Sequence, residues 1–396
     1  MSKDIDKVDD ISTEMMGKSI VFVSTVPYFM ISQLSLQIKF FASLGMQVTI
    51  ITSPGKELRD LPEDDAVCVL EVEIPRKLEA WADLKALWKL YAVFRQESFD
   101  IIHSFTPKAG LLCSVAAFFA RIPLRFHTFT GQAWVTRKGL MRWVMRLSDR
   151  CISRLMTHCY ADSVSQKEYL ISEGIVSEQA ISVIGNGSLG GIDLERFSLS
   201  RWSDDEKEML KKHIGIEDAL CVFIYIGRLT VDKGLCELLN AFAKLQQETQ
   251  HAHLLLVGPT DPDGEAIFKR ARRQENVHCL GYQKDVGRFL AVSDVFCLPS
   301  YREGFGTVVI EAAALGLPCV GTKISGLVDA VHDGVTGILV PVKDSERLYR
   351  AMHRLSKDKI LRRKMGEAAQ ARAAKLYDVK VINTEWASEY VRWVKQ

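Results

Sequence analysis

Two carboxylates eight residues apart, Glu303 and Glu311, bracket a short glycine loop in the run LPSYREGFGTVVIEAAALGLPCVG, residues 298 to 321. An apolar strand ends at Pro299 and Ser300, a loop follows, and Thr307 stands where it could cap a helix carrying Glu311 in its first turn. Amides of a loop that opens a helix point outward as donors, which is how a backbone holds phosphate oxygens. A second run, GRLTVDKG at 227 to 234, brings two cations, Arg228 and Lys233, to the end of another strand. Its glycines, Gly227 among them, let backbone come close to a ligand. Two cations beside an anion-binding loop suit a diphosphate. Each run alone also has a plainer reading, as solvated charges at a βα turn or a glutamate favoured by a helix dipole. Found together in one chain, they favour chemistry.

Other phosphate motifs are missing. VFVSTVPYFMISQ follows the first strand with no glycine, so the dinucleotide fingerprint is absent, and no GxxxxGK[ST] loop occurs. The DPD triplet at 261 to 263 could be taken for a metal-binding pair of aspartates. Pro262 and Gly264 make it better read as a turn that opens a helix.

These residues need elements to position them. From Lys18 onward, short β-branched runs alternate with amphipathic stretches. Strands are expected at 19–24, 47–52, 68–73, 100–105, 124–129 and 158–163, with helices near 32–44, 79–97, 138–156 and 164–173. The alternation pauses in IGNGSLGGIDLERFSLSRWSDDE, which sets a domain boundary near Ser198. A second series expects strands at 221–227, 253–258, 277–281, 295–300 and 318–322, and helices at 344–357, 359–376 and 379–394. The reading is an α/β chain of two Rossmann-like domains, residues 1–198, completed by about 379–396, and residues 199–378. Strand then helix, repeated, means parallel sheets whose ligands bind beyond the carboxyl ends of the strands. Two such ends facing each other would form a cleft.

Composition agrees. The chain has 396 residues, 47% hydrophobic and 25% charged, enough for two ordinary cores without disulfide or metal staples. A net charge of +2 gives no footprint for nucleic acid as a partner. Nine cysteines, with no CxxC pair, fit a reduced cytoplasm. The first residues carry acids where a signal peptide needs a basic and then apolar run. The longest apolar stretch, 111 to 120, falls short of the roughly 18 residues a spanning helix requires. No spanning segment is expected.

The run EGFGTVVIE with its PS prefix, GRLTVDKG, FHTFTG at 126 to 131 and NGSLGGIDLERF together resemble the family 4 glycosyltransferases. The resemblance runs from about residue 19 to the C-terminus. It implies the GT-B fold and transfer of a sugar from a nucleotide diphosphate donor with retention of configuration, without a metal or other cofactor. On the matching positions it implies that Arg228 and Lys233 hold the diphosphate, with Gly304, Phe305, Gly306 and Thr307 lining the donor loop. Glu303 would meet the sugar hydroxyls, Glu311 the ribose, and Tyr282 in GYQKD the base. His127 matches the N-domain histidine that approaches donor sugar and acceptor, and at the end of its strand beside Gly131 it is expected to face the cleft. His103 at a similar strand end, Lys108 and Asn186 are placed on the acceptor side. One departure stands out: many members carry Gly-Gly after the first strand, where this chain has Pro27 and Tyr28.

Within the family, SQLSLQ, HTFTGQAW and NGSLGG resemble enzymes that extend lipid-linked saccharides for surface polysaccharide. That implies a polyprenyl-diphosphate acceptor, with a UDP-linked N-acetylhexosamine as the expected donor. Residues 76 to 154 contain 14 Lys or Arg against five acids, an excess of nine in a near-neutral chain. Lys138, Arg142, Arg146, Arg150 and Arg154 recur every four residues, as one basic helix face. Such a face can rest on anionic lipid, here the cytoplasmic face of the inner membrane, or it can be the solvated side of a helix whose apolar side is core. The alternatives to transfer are a non-hydrolysing sugar-nucleotide epimerase and a nucleotide-sugar-binding protein without turnover. The epimerase would need no basic lipid-facing patch, and the intact Glu303, Glu311, Arg228 and Lys233 speak against loss of turnover.

Overall fold

The computed structural model describes residues 10–61, 64–76 and 79–396. The chain divides into two compact units, Met1–Gly191 with Val379–Gln396, and Ile192–Asp378. The change comes before Ser198 because Ile192 already belongs to the second unit: its N–H donates to the Tyr377 carbonyl at 2.7 Å, and Phe197 lies in that unit's core.

The first unit is a seven-stranded parallel sheet in the order β3-β2-β1-β4-β5-β6-β7. Its strands are β1 (Ser19–Val23), β2 (Gln47–Thr52), β3 (Val67–Glu71), β4 (Ile101–Ser104), β5 (Leu124–Phe129), β6 (His158–Ala161) and β7 (Ile181–Ser182). The longer helices are α1 (Ser35–Ser43), α2 (Ala80–Gln96), α3 (Pro107–Ala120), α4 (Gly139–Leu155) and α5 (Val164–Ser172). The two-residue period of a strand sends alternate side chains to opposite faces. Val21, Val23, Ile102 and Phe129 therefore pack under α2, α3, α4 and α5, while Ile20, Phe22, Ile101 and Phe126 pack under α1 and the C-terminal helix.

Helix α3 and strand β7 are absent from the sequence reading. In α3, Lys108 is the only charged residue and eight residues are buried, so the polar face that marks a surface helix does not exist. Pro107 starts it and the left-handed Arg121 ends it.

The second unit holds six parallel strands in the order β10-β9-β8-β11-β12-β13. They are β8 (Cys221–Ile226), β9 (Ala252–Val257), β10 (Val277–Gly281), β11 (Val295–Leu298), β12 (Cys319–Thr322) and the unanticipated β13 (Gly337–Val340). Its longer helices are α6 (Asp204–Ile214), α7 (Leu235–Glu248), α8 (Glu265–Ala271), α9 (Thr307–Ala314), α10 (Ser345–Lys357) and α11 (Lys359–Leu376). The last helix, α12 (Val379–Val394), returns to the first unit, where Trp386 and Tyr390 are buried. Trp386 Nε1 donates to the Leu189 carbonyl at 3.0 Å, and Glu389 accepts from the Tyr160 hydroxyl at 2.9 Å.

His103 belongs to this packing. Its Nδ1 lies 2.5 Å from the Tyr390 hydroxyl and its Nε2 2.7 Å from Thr128 Oγ1, and its ring stacks on Phe105. Burial, with His127 nearby, holds its pKa well below the ordinary histidine value. The acceptor-side placement of His103 is thus corrected: strand alternation turns it into the core beneath α12. Tyr390→Phe is expected to leave the imidazole short of a partner and to cost about 1–3 kcal/mol. Urea unfolding measures it, and a loss below a few tenths would mean that the contact carries nothing.

Candidate functional site

In an open parallel sheet, the two strands where the winding reverses leave their carboxyl ends side by side, and ligands bind there. In the second unit those strands are β8 and β11. GRLTVDKG follows β8 and PSYREGFG follows β11, so topology brings together two runs about 70 residues apart. The approach is close. Gly234, at φ +68°, has room for no Cβ, which would fall 2.0 Å from the Pro299 carbonyl oxygen.

Lys233 and Glu303 meet across this junction, Nζ to Oε1 at 2.6 Å, both mostly shielded from water. Arg228 pairs with Asp261, and its carbonyl accepts from the Tyr225 hydroxyl at 2.7 Å. Asp261 stands in the DPD turn, which does open α8, as Pro262–Gly264 form a 3₁₀ turn before it. Its carboxylate serves Arg228 and caps nothing.

Asp232 was not singled out in the sequence, though it lies inside GRLTVDKG. It pairs with Arg302 at 2.9 Å, accepts from Thr230 Oγ1 at 2.5 Å, and gives its carbonyl to the Tyr301 N–H at 2.9 Å. Burial alone would raise its pKa; Thr230, Arg302, Lys233 and Arg228 together hold it below the ordinary carboxylate value. Asp232 thereby ties the loop after β8 to the loop after β11.

The glycine loop is pinned from two sides. Gly326 (φ +88°) passes so near that a Cβ would lie 2.5 Å from the Gly304 carbonyl oxygen. Phe305 is buried edge-on against Tyr377, with ring centroids 5.1 Å apart. The Phe305 side chain is therefore an anchor of the loop, which leaves only its backbone for any contact with a ligand. Gly306 (φ +91°), not Thr307, is the N-cap of α9, since the chain turns left-handed there at no steric cost. That moves Glu311 from the first helical turn to the second. Burial pushes the Glu311 carboxyl up to about 7, against the pull of Arg196, a linker residue that sequence reading missed. Tyr282, one residue past β10, is exposed.

The first unit treats its candidates differently. His127 is 1% exposed: alternation along β5 points it under α3, where Gly110 leaves space for its ring and Ser104 Oγ lies 2.9 Å from Nδ1. A Cβ on Gly110 would sit 2.4 Å from His127 Cε1. Burial pushes the pKa of His127 down to about 3, with Ser104 opposing. The expected open ring is corrected to a covered, neutral one. Lys108 pairs with Asp83 of α2 at 2.6 Å, and Asn186 is exposed in a turn.

The basic row of α4 is corrected at its three middle residues, while Lys138 and Arg154 at its ends are exposed. Arg142 and Arg146 lie over the Trp134 ring, their guanidinium carbons 5.6 and 5.3 Å from its centroid, and Arg146 reaches Glu173 at 2.9 Å. Arg150 Nε donates to the Gly174 carbonyl at 2.9 Å. These arginines occupy the carbonyl end of α5, where a helix dipole favours cations. Lys77, counted in the same basic stretch, lies outside the described residues.

Both units resemble known proteins. Residues 206–372 match the family described as glycosyl transferases group 1, and residues 35–187 the glycosyl transferase 4-like domain. The capsular polysaccharide biosynthesis glycosyltransferase CapM of Staphylococcus aureus is 32% identical over 363 residues, covering 91% of this chain and 93% of that protein. The UDP-Gal:alpha-D-GlcNAc-diphosphoundecaprenol alpha-1,3-galactosyltransferase of Escherichia coli is 28% identical, covering 79% and 81%. Among solved structures, HepE of Anabaena in complex with UDP and glucose superposes with a TM-score of 0.77 at 20% identity, over 94% of this chain and 99% of that one, which is likeness of fold.

Glu311 gives a test independent of any ligand. In the unfolded chain its proton leaves near the ordinary value of 4.5, whereas in the folded protein it is kept to about 7. The stabilisation is full below 4.5 and is lost as pH rises through 7. Between pH 5 and 8 the protein is expected to lose on the order of 2 kcal/mol more than Glu311→Gln. Parallel urea titrations check this, and equal pH slopes would refute the buried carboxyl.

Proposed function

Since the chain belongs to the group 1 glycosyl transferases, with a glycosyl transferase 4-like N-terminal domain, we propose that it moves an N-acetylhexosamine from a UDP-linked donor, with retention of configuration, onto a polyprenyl-diphosphate-linked saccharide. The product would serve surface polysaccharide biosynthesis at the cytoplasmic face of the inner membrane. The observation that carries the reading is the Lys233–Glu303 contact at the β8/β11 switch point, a cation and a hydroxyl acceptor 2.6 Å apart. A diphosphate sugar has that pair of demands on neighbouring atoms: negative oxygens at one end, hydroxyls at the other.

Breaking the bond between sugar and diphosphate gathers negative charge on the leaving phosphate. Fixed donors aimed at that charge stabilise the transition state more than the ground state. In this reading Lys233, Arg228 and the 304–306 amides supply them without a metal ion, with Arg228 exchanging Asp261 for phosphate. Glu303 accepts from the donor sugar, Glu311 from the ribose, and Tyr282 lies against the base. A double displacement requires a carboxylate nucleophile at the anomeric carbon. Glu303 is engaged by Lys233 and Glu311 sits a helical turn deeper, so attack by the acceptor on the face that the diphosphate leaves is favoured, with a phosphate oxygen taking the acceptor proton.

The nature of the acceptor draws support from the relatives, one of which is named for a diphosphoundecaprenol-linked sugar. Among the described residues no helix is long and apolar enough to cross a membrane, so access to such a lipid would be peripheral.

A donor screen that follows nucleoside diphosphate release, with and without a lipid-linked acceptor, tests the proposal. Acceptor-dependent release of UDP with an α-linked product is expected; release from another nucleotide, or an inverted product, would overturn the corresponding part. Arg228→Ala and Lys233→Ala are each expected to lower transfer at least about tenfold, or ~1.4 kcal/mol, with unchanged circular dichroism. Glu303→Ala should mainly lower kcat and Glu311→Ala mainly raise the donor KM. Equal losses in both constants would remove the division of roles.

A further inference from the structure

The outward face of the helix layer over the first unit is apolar where water would be expected. On α2, Trp81, Leu84 and Trp88 recur at i, i+3 and i+7 and are 86%, 56% and 68% exposed, while Ala86, Leu90 and Phe94 on the opposite side fill the core. On α4, Leu140, Trp143 and Leu147 repeat the same spacing at 76%, 59% and 45% exposed. Helix α3 packs between them, with Leu111 and Val115 half-buried. Soluble surfaces carry scattered apolar residues, but two tryptophan-bearing stripes on one layer mark a surface meant to be covered.

We propose that this face is the bilayer contact, entered by the tryptophans and leucines, and that the arginine row of α4 is not. The inference rests on the reading of a lipid-linked acceptor, and it names the part of the chain that meets the lipid. Charge supports a membrane over another protein. Lys85 and Lys89 on α2 and Arg137 and Lys138 before α4 are exposed beside the stripes, with no acid exposed along α4. A rim of lysine and arginine around apolar anchors suits anionic headgroups around acyl chains, and tryptophan favours that interface. Arg142, Arg146 and Arg150 are committed to Trp134, Glu173 and the carbonyl end of α5.

Position supports it as well. In a parallel α/β unit each helix starts at the carboxyl edge of the sheet, where ligands bind. Trp81 and Leu84 begin α2, and Leu140 and Trp143 begin α4. The apolar stripes therefore start at the ligand-binding edge of this unit, where a saccharide projecting from a lipid diphosphate would arrive.

The test uses the full chain and vesicles of phosphatidylcholine with phosphatidylglycerol. Trp81→Gln, Trp88→Gln and Trp143→Gln combined are expected to lower vesicle partitioning at least about tenfold at every salt concentration. Lys85→Gln with Lys89→Gln should weaken it only at low salt. Arg142→Gln with Arg146→Gln should lower thermal stability and leave partitioning within about twofold. Quenching of tryptophan fluorescence by lipids brominated along the acyl chain, done on the unaltered protein, reads insertion without any variant. Absence of quenching, unchanged partitioning of the triple tryptophan variant, or a dimer in solution that the same three changes dissociate would overturn the proposal. Transfer to a water-soluble acceptor analogue, which the triple variant should retain, separates this outcome from failure of the proposed activity.

Discussion

A parallel sheet that winds one way and then the other leaves two non-consecutive strands with their carboxyl ends adjacent, and the second unit depends on that constraint at the β8/β11 junction. Lys233 and Glu303 are neighbours for no other reason. Everything nearby serves to keep the junction closed. Gly234 lets backbone touch backbone, Asp232 reaches Arg302 and the Tyr301 N–H, and Phe305 and Gly326 hold the glycine loop from its two sides. A site that stabilises developing charge must be rigid before charge appears, since donors that reorganise during reaction spend what they would contribute. The pairing of each cation with a carboxylate, Lys233 with Glu303 and Arg228 with Asp261, keeps both in place.

The two buried histidines of the first unit show how strand alternation overrules motif position. His103 and His127 each lie near a strand's carboxyl end, where side chains can reach a ligand. One turns toward α12 and the other toward α3, and both are covered. Removing water from an imidazole favours its neutral form, in line with the lowered values of both. His103 then uses both ring nitrogens as neutral partners for Tyr390 and Thr128, which binds the C-terminal helix to the sheet. In His127, the lost Cβ of Gly110 is the device that admits the ring.

Helix α4 inverts the usual amphipathic rule. Arg142, Arg146 and Arg150 face protein because the end of α5 and the Trp134 ring offer carbonyls, a carboxylate and a π face, all of which guanidinium binds well. Its leucines and Trp143 are consequently left outside. Periodicity alone assigns the charged stripe to water, and here that assignment is reversed by what stands opposite.

The residue pattern by itself determined most strands and helices, the return of the last helix, and the two motif runs that meet at the β8/β11 junction, because period, glycine placement and strand-end cations are local properties. It did not reveal α3, which is buried on nearly all sides and so has no polar face to set a period, nor the short β7 and β13. Asp261 and Asp232 were visible as residues, yet their work for Arg228 and Arg302 arises from loops that meet only when the sheet forms. Which way His127 points, whether Thr307 or Gly306 caps α9, and which face of α4 meets water were decided by tertiary structure. Each depends on the identity of a neighbour distant in the chain, and a spacing carries no record of that neighbour.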